Sequence, residues 1–393
     1  MKKHSFLIVL LLTAYFSYAQ RRSSTQAQSP ASPLESVSLG GLKFRNIGPA
    51  LSSGRIADIA VNPSKTKEYY VATAAGGVWK TENGGATFDP LFDSEGSSSI
   101  GCVALDPNNS NVVWVGSGEN NNQRVVGYGD GVYKSIDGGK SWENMGLKMS
   151  EHIAKIIVDP TNSDVVYVAA IGPLWKEGGE RGVYKTEDGG KTWTAVLTVD
   201  EHTGVTDMVM DPRDPKVIYA AAMQRRRHVF TYIGGGPGSG MYKTTDGGQS
   251  WSKINKGLPT VDMGRIGLTI SPANPEVIYA IVEAAQNKGG FFRSTNRGAS
   301  WEKRSDYTTS GNYYQEIFSD PVDPDKVYAM DVWFKVSKDG GKSFSVVGED
   351  TKHVDNHVMW IDPADTEHWL VGCDGGVYET YEAGKTWFFK ANL

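Results

Sequence analysis

A twelve-residue stretch, Gly131-Val-Tyr-Lys-Ser-Ile-Asp-Gly-Gly-Lys-Ser-Trp142, recurs in recognisable form to the end of the chain. Its Ser or Thr stands at Thr81, Ser135, Thr186, Thr244, Ser294, Ser337 and Thr380, so successive copies lie 54, 51, 58, 50, 43 and 43 residues apart. A period in that range, repeated seven times, restricts the chain to a propeller or a solenoid, because one such unit must stack on a neighbour to bury its apolar face. Each copy reads as a hairpin. Val132-Tyr-Lys134 is β-prone, Asp-Gly-Gly supplies a turn, and Trp142 opens the next strand. An acid in that turn accepts backbone N–H groups that no strand reaches, so Asp137, Asp188, Asp246 and their variants Asn83, Asn296 and Glu382 read as structural. In the sixth copy Lys338 breaks the pattern, with Asp339 beside it to take the role.

Two more strands precede each box. The first ends in a Pro turn, as in Ile56-Ala-Asp-Ile-Ala-Val-Asn-Pro63 and Ile156-Ile-Val-Asp-Pro160; the second follows at once, as in Val165-Val-Tyr-Val168 and Val277-Ile-Tyr-Ala280. Continuous apolar runs of this kind belong to strands covered on both faces. Four antiparallel strands in each of seven repeats make an all-β, seven-bladed β-propeller over residues 39–393. Two segments compete for the place that closes the ring: Phe44-Arg-Asn-Ile47 and Trp387-Phe-Phe-Lys390.

Ahead of the repeats, Met1 to Ala19 has the basic start, short apolar run and small-residue end of a secretory signal, and residues 20–38 are polar and Pro-rich, as a disordered leader is. The apolar run is too short to span a bilayer, so the mature chain is expected outside the cytoplasm with no membrane span. A formal charge of -5 gives no electrostatic reason for nucleic acid as a partner. The two cysteines, Cys102 and Cys373, are expected as thiols, bridged only if their blades bring them within reach.

Chain direction separates two faces. Box hairpins and Pro turns share one; the loops between second and third strands, and those entering each repeat, share the other, where the unusual residues gather. Glu119, Asn121 and Arg124 come from repeat two, Arg225, Arg226, Arg227, His228 and Tyr232 from repeat four, and the entry loops add Arg265, Tyr314 and His357, with Arg55 and Tyr313 beside them. Polar, aromatic and Arg-rich loops on one end of a rigid ring suit ligand recognition, although long loops also tolerate such residues without function. Four inner strands carry a charge at one position, four before the Pro-turn residue: Asp58, Lys155, Asp207 and Glu316. With Glu119, the three carboxylates are candidates for acid and base work on a glycosidic bond; a salt-bridged, hydrated channel with Lys155 as counter-ion is the favoured alternative. His353, Asp355 and His357 alternate as metal ligands on an extended segment would, and a hydrogen-bonded cluster is favoured over a metal. No cofactor is expected.

The boxes resemble the Asp-box, or bacterial neuraminidase repeat, of sialidases, sortilin-like receptors, the photosystem II assembly propeller and two-propeller xyloglucan-cleaving hydrolases. Phe44-Arg-Asn-Ile-Gly-Pro49, Gly118-Glu-Asn-Asn-Asn-Gln-Arg124, Gln224-Arg-Arg-Arg-His228 and His353-Val-Asp-Asn-His357 with Asp374-Gly-Gly376 are similar to exported bacterial proteins with a sortilin-like N-terminal region, and add Asp374 to the ligand-binding set. Longer members of that family continue into a second propeller, so a chain stopping at Asn392-Leu393 suggests a single-propeller or truncated form. The resemblance implies either a propeller that binds an extracytoplasmic peptide, protein or glycan, or a carbohydrate-active enzyme, glycoside hydrolase or polysaccharide lyase, or an assembly factor. Against the xyloglucan-cleaving type, Thr73-Ala-Ala-Gly-Gly77 lacks the Asp that family carries before Gly-Gly. A binding propeller, without catalysis, is the reading the sequence favours.

Overall fold

The computed structural model describes residues 54–391 and 393; the signal and leader segments and Phe44–Ile47 lie outside them. Within that range the chain forms seven four-stranded antiparallel sheets, each made of consecutive strands. The inner strands are Ile56–Val61, Ile100–Asp106, Ile153–Asp159, Thr203–Asp211, Met263–Ile270, Ile317–Ser319 and Asn356–Asp362. Seven apolar clusters follow, one at every seam between adjacent blades. The last of these seams packs Val358, Leu370 and Val377 of blade seven against Ile56, Tyr69 and Val71 of blade one, and so closes the ring. Of the two candidate closing segments, the C-terminal one forms the outer strand of blade seven: Phe388–Phe389 pairs with Tyr378 and Glu379. Lys390 then reaches across the seam, donating to the Gly84 carbonyl of blade one at 2.9 Å.

The box turns have one geometry. In the second, Ser135 Oγ donates to Asp137 Oδ1 (2.8 Å) and accepts from the Gly139 N–H (2.8 Å), while Ser141 donates its N–H (2.9 Å) and Oγ–H (2.6 Å) to Asp137. Gly138 and Gly139 have φ of 76° and 90°, where a side chain would be strained. These bonds hold the Asp137 carboxyl down at about 2. In the sixth copy Asp339, two residues after Ser337, makes the same bonds and Lys338 takes no part. The longer Glu382 of the seventh copy accepts the Thr386 hydroxyl at 2.9 Å. The acids thus fasten their own hairpins, and the aromatics fasten blade to blade: Trp142, Trp193, Trp301 and Trp387 each donate the indole N–H to a carbonyl of the preceding blade at 2.7–2.9 Å. Tyr70, Tyr167 and Tyr219 reach forward to the box turn of the following blade. Cys102 and Cys373, in blades two and seven, are free and buried.

Candidate functional site

The four inner-strand charges share one layer of the channel. In blades one, three and four a β-bulge falls at this position, so the strand re-aims the side chain toward the axis. Asp58 accepts the N–H of Ile59 (2.9 Å) and, across the seam, of Val103 (3.1 Å); Asp207 does the same with Met208 (2.8 Å) and Leu268 (2.7 Å). Burial raises both carboxyls above their ordinary range, with Lys155 opposing. Burial would lower Lys155, but Asp58, Asp207 and Glu316 outweigh it and its pKa is raised. Lys155, Asp207, Glu316 and Arg265 line a cavity of about 30 Å³, which admits a water molecule and no sugar ring. Glu316 pairs with Arg265.

Over this layer lies the loop of repeat two. Glu119 pairs with Arg55 and is 5% exposed. Asn121 donates to Glu119 at 2.9 Å. Asn122 then ties three blades together, donating its amide to the Gly311 carbonyl (3.0 Å) and accepting from Arg225 (2.7 Å) at Oδ1 and from Arg227 (2.8 Å) at its carbonyl. A buried loop must pair its backbone groups, and these guanidinium donors do so. Arg225 is fully enclosed as a result, and Arg227 and Arg265 nearly so. His152, which sequence reasoning passed over, sits beneath the loop with Nδ1 2.8 Å from the Glu119 carbonyl; burial and Arg225 keep it neutral, well below the ordinary imidazole range.

Among the residues proposed from sequence, two groups meet. Arg226, Arg227, His228 and Tyr232 belong to a small extra hairpin, Arg226–Arg227 with Tyr232–Ile233, where Arg227 lies 4.5 Å over the Tyr232 ring and Arg124 donates to the Val229 carbonyl (2.9 Å). The other group gathers at the entries to blades six, seven and one. Arg55 donates to Tyr313 (2.5 Å), Tyr313 donates to Asp374 (2.8 Å), and His357 Nε2 lies 2.8 Å from Asp374 Oδ1. Tyr314 donates to Asp355 and stacks on His357 at 5.4 Å and 14°. His357 is the extra residue of a bulge between Asn356 and Val358, which turns it toward this cluster. Burial pushes the Asp374 carboxyl up, but the His357 and Tyr313 hydrogen bonds and the Arg55 charge prevail and hold it below its ordinary value. Asp374 keeps a third of its side-chain surface exposed (33%). Two left-handed residues flank the cluster, Gln315 (φ 125°) and Asp355 (φ 65°), and such strain concentrates at functional sites.

The His353, Asp355, His357 set does not converge: Asp355 turns the chain, His353 is exposed with Nδ1 2.6 Å from the Val354 carbonyl, and among the described residues no three His, Cys, Asp or Glu side chains gather as metal ligands. Sequence reasoning missed Trp333. Its turn is pinned to the cluster by the Asp355 N–H donating to the Val332 carbonyl at 2.9 Å, and the indole is 53% exposed.

Comparison with known proteins sharpens the picture. The family described as sortilin, neurotensin receptor 3 matches residues 130–289. A xyloglucanase of Acetivibrio thermocellus is 25% identical over 244 residues, covering 59% of this chain and 25% of that protein. An oligoxyloglucan-reducing end-specific xyloglucanase of Emericella nidulans is 26% identical, covering 50% and 27%. The chain therefore spans about a quarter of the length of these curated relatives. In structure it is similar to the GH74 xyloglucanase of Xanthomonas campestris, with TM-score 0.64, 16% identity, and coverage of 88% of this chain and 55% of that one. YCF48 from Cyanidioschyzon merolae gives TM-score 0.54, 16% identity, and coverage of 85% and 97%. These relatives, xyloglucanases by name, overturn the sequence-based preference for a binder without catalysis. No helix among the described residues is long and apolar enough to cross a membrane. The chain is a seven-bladed β-propeller resembling sortilin-like and xyloglucanase proteins.

Proposed function

We propose that this protein is a carbohydrate-active propeller of the glycoside-hydrolase kind, taking a polysaccharide across its loop face where blades six, seven and one meet. The observation that carries this is the cluster of Arg55, Tyr313, Tyr314, His357, Asp355 and Asp374 beside the exposed Trp333. A sugar ring offers an apolar face and a rim of hydroxyls, so it calls for an aromatic platform with charged and polar groups around it. Cleavage of a glycosidic bond calls for two carboxyl groups. Asp374, kept ionised by its donors, is the nucleophile or base of the pair. Asp355, held by Tyr314, is the second carboxyl of the cluster. Arg55 and Tyr313 hold Asp374 in place, so they are positioning residues. A polysaccharide substrate implies work outside the cytoplasm, in line with the export signal read in Met1 to Ala19.

Reducing-end release from a panel of soluble β-glucans, xyloglucan among them, tests the reading. Release of oligosaccharides supports it, and Trp333→Ala should raise KM about tenfold with kcat little changed, as loss of ground-state binding does. A panel that is neither cut nor bound would overturn it.

A further inference from the structure

A separate pocket of about 200 Å³ opens beside the hairpin of blade four, lined by Glu177, His202, Gln224, Arg225, Arg226 and His228. Its wall holds more positive charge than the protein neutralises. Arg225 donates to three uncharged acceptors, the carbonyls of Asn121 (3.2 Å) and Gly172 (2.7 Å) and the Asn122 side chain (2.7 Å). Its Nε is buried without a partner. Arg181, buried nearby and outside the wall itself, likewise donates to carbonyls alone, those of Gly178, Ile171, Pro173 and Lys176. Arg226 has one carboxylate, Glu177, and its own Nε is buried and unpartnered. Burial and the nearby Arg181 draw the pKa of Arg225 down to about 9, the mark of a cation short of a counter-ion. A buried charge left with neutral partners gains from any anion that can reach it.

We infer that this pocket binds the carboxylate of a uronate residue in an acidic polysaccharide, with Arg226 supplying the donors and the enclosed Arg225 an uncompensated charge behind them. A guanidinium pairs with a carboxylate through two parallel bonds, which fixes the ring that carries it. The volume suits one such ring, being below the roughly 300–1,000 Å³ of pockets for drug-sized ligands. Choosing a glycan over an acidic peptide rests on the carbohydrate reading above.

The test is calorimetric titration of the full-length protein with oligogalacturonates, with neutral glucan oligosaccharides and a Glu-rich peptide in parallel. Uronate binding is expected, weakening as salt rises. Arg226→Gln should weaken it at least tenfold with an unchanged melting temperature, whereas Glu177→Gln should tighten it several-fold by freeing Arg226 from its competitor. Absence of uronate binding, equal affinity in the Arg226→Gln protein, no tightening in Glu177→Gln, or tighter binding of the peptide would each overturn the inference. Neutral-glucan turnover is read separately by reducing ends, so failure of the uronate site and failure of the catalytic reading are distinct results.

Discussion

The two faces of the ring are built by different rules. On the turn face each acid binds within its own hairpin, Ser135 and Asp137 two residues apart and Asp137 and Ser141 four, and the arrangement recurs blade after blade. On the loop face the ties between blades are remote, Asn122 reaching Arg225 and Gly311 across 103 and 189 residues, and they do not recur from blade to blade. Local, repeated contacts make a frame that tolerates variation above it; remote, unrepeated ones make a surface that differs from one blade to the next. Chemistry is expected where repetition stops.

Two neighbouring arginines on the loop face give the largest expected difference. Arg225→Ala strands three buried acceptors and should cost about 4 kcal/mol, read by urea unfolding. Arg226→Ala, partly exposed with one surface partner, should cost less than about 1 kcal/mol. Equal costs would mean that the loop is not held from within. On the turn face, Trp301→Ala removes a buried indole that bonds the preceding blade and should cost about 3 kcal/mol by the same measurement. A smaller effect is expected at the closing seam. His368 lies between Asp362 and Glu379; burial lowers its pKa, but those two acids outweigh it and raise it above 6.5. Its contribution is therefore complete below that pH and lost as pH rises through the raised value. The melting temperature should fall as pH rises above 6.5 and through the raised value, by an increment that His368→Gln lacks. Smallest of all, Asp339→Ala should lower the melting temperature while Lys338→Ala leaves it unchanged, since Asp339 and not Lys338 fastens the sixth turn.

How much could be read beforehand follows the same division. Box spacing and apolar runs gave the seven blades, and counting back from each Pro turn placed Asp58, Lys155, Asp207 and Glu316 in one layer, because strand period and turn position are local properties. The sixth box was misaligned by a single residue between Lys338 and Asp339. Chain direction puts the loop residues on one face, but nothing local distinguishes Arg225, folded inward under Asn122, from Arg226 beside it. Trp333 escaped because Val332-Trp333-Phe334 reads as an apolar strand, whereas Phe334 alone enters the core.

The most direct test is the rate of reducing-end release by Asp374→Asn, with its melting temperature taken alongside. The expected result is a fall in turnover of about a thousandfold on a fold that melts where the unaltered protein does. Turnover preserved in the Asp374→Asn protein would contradict the account.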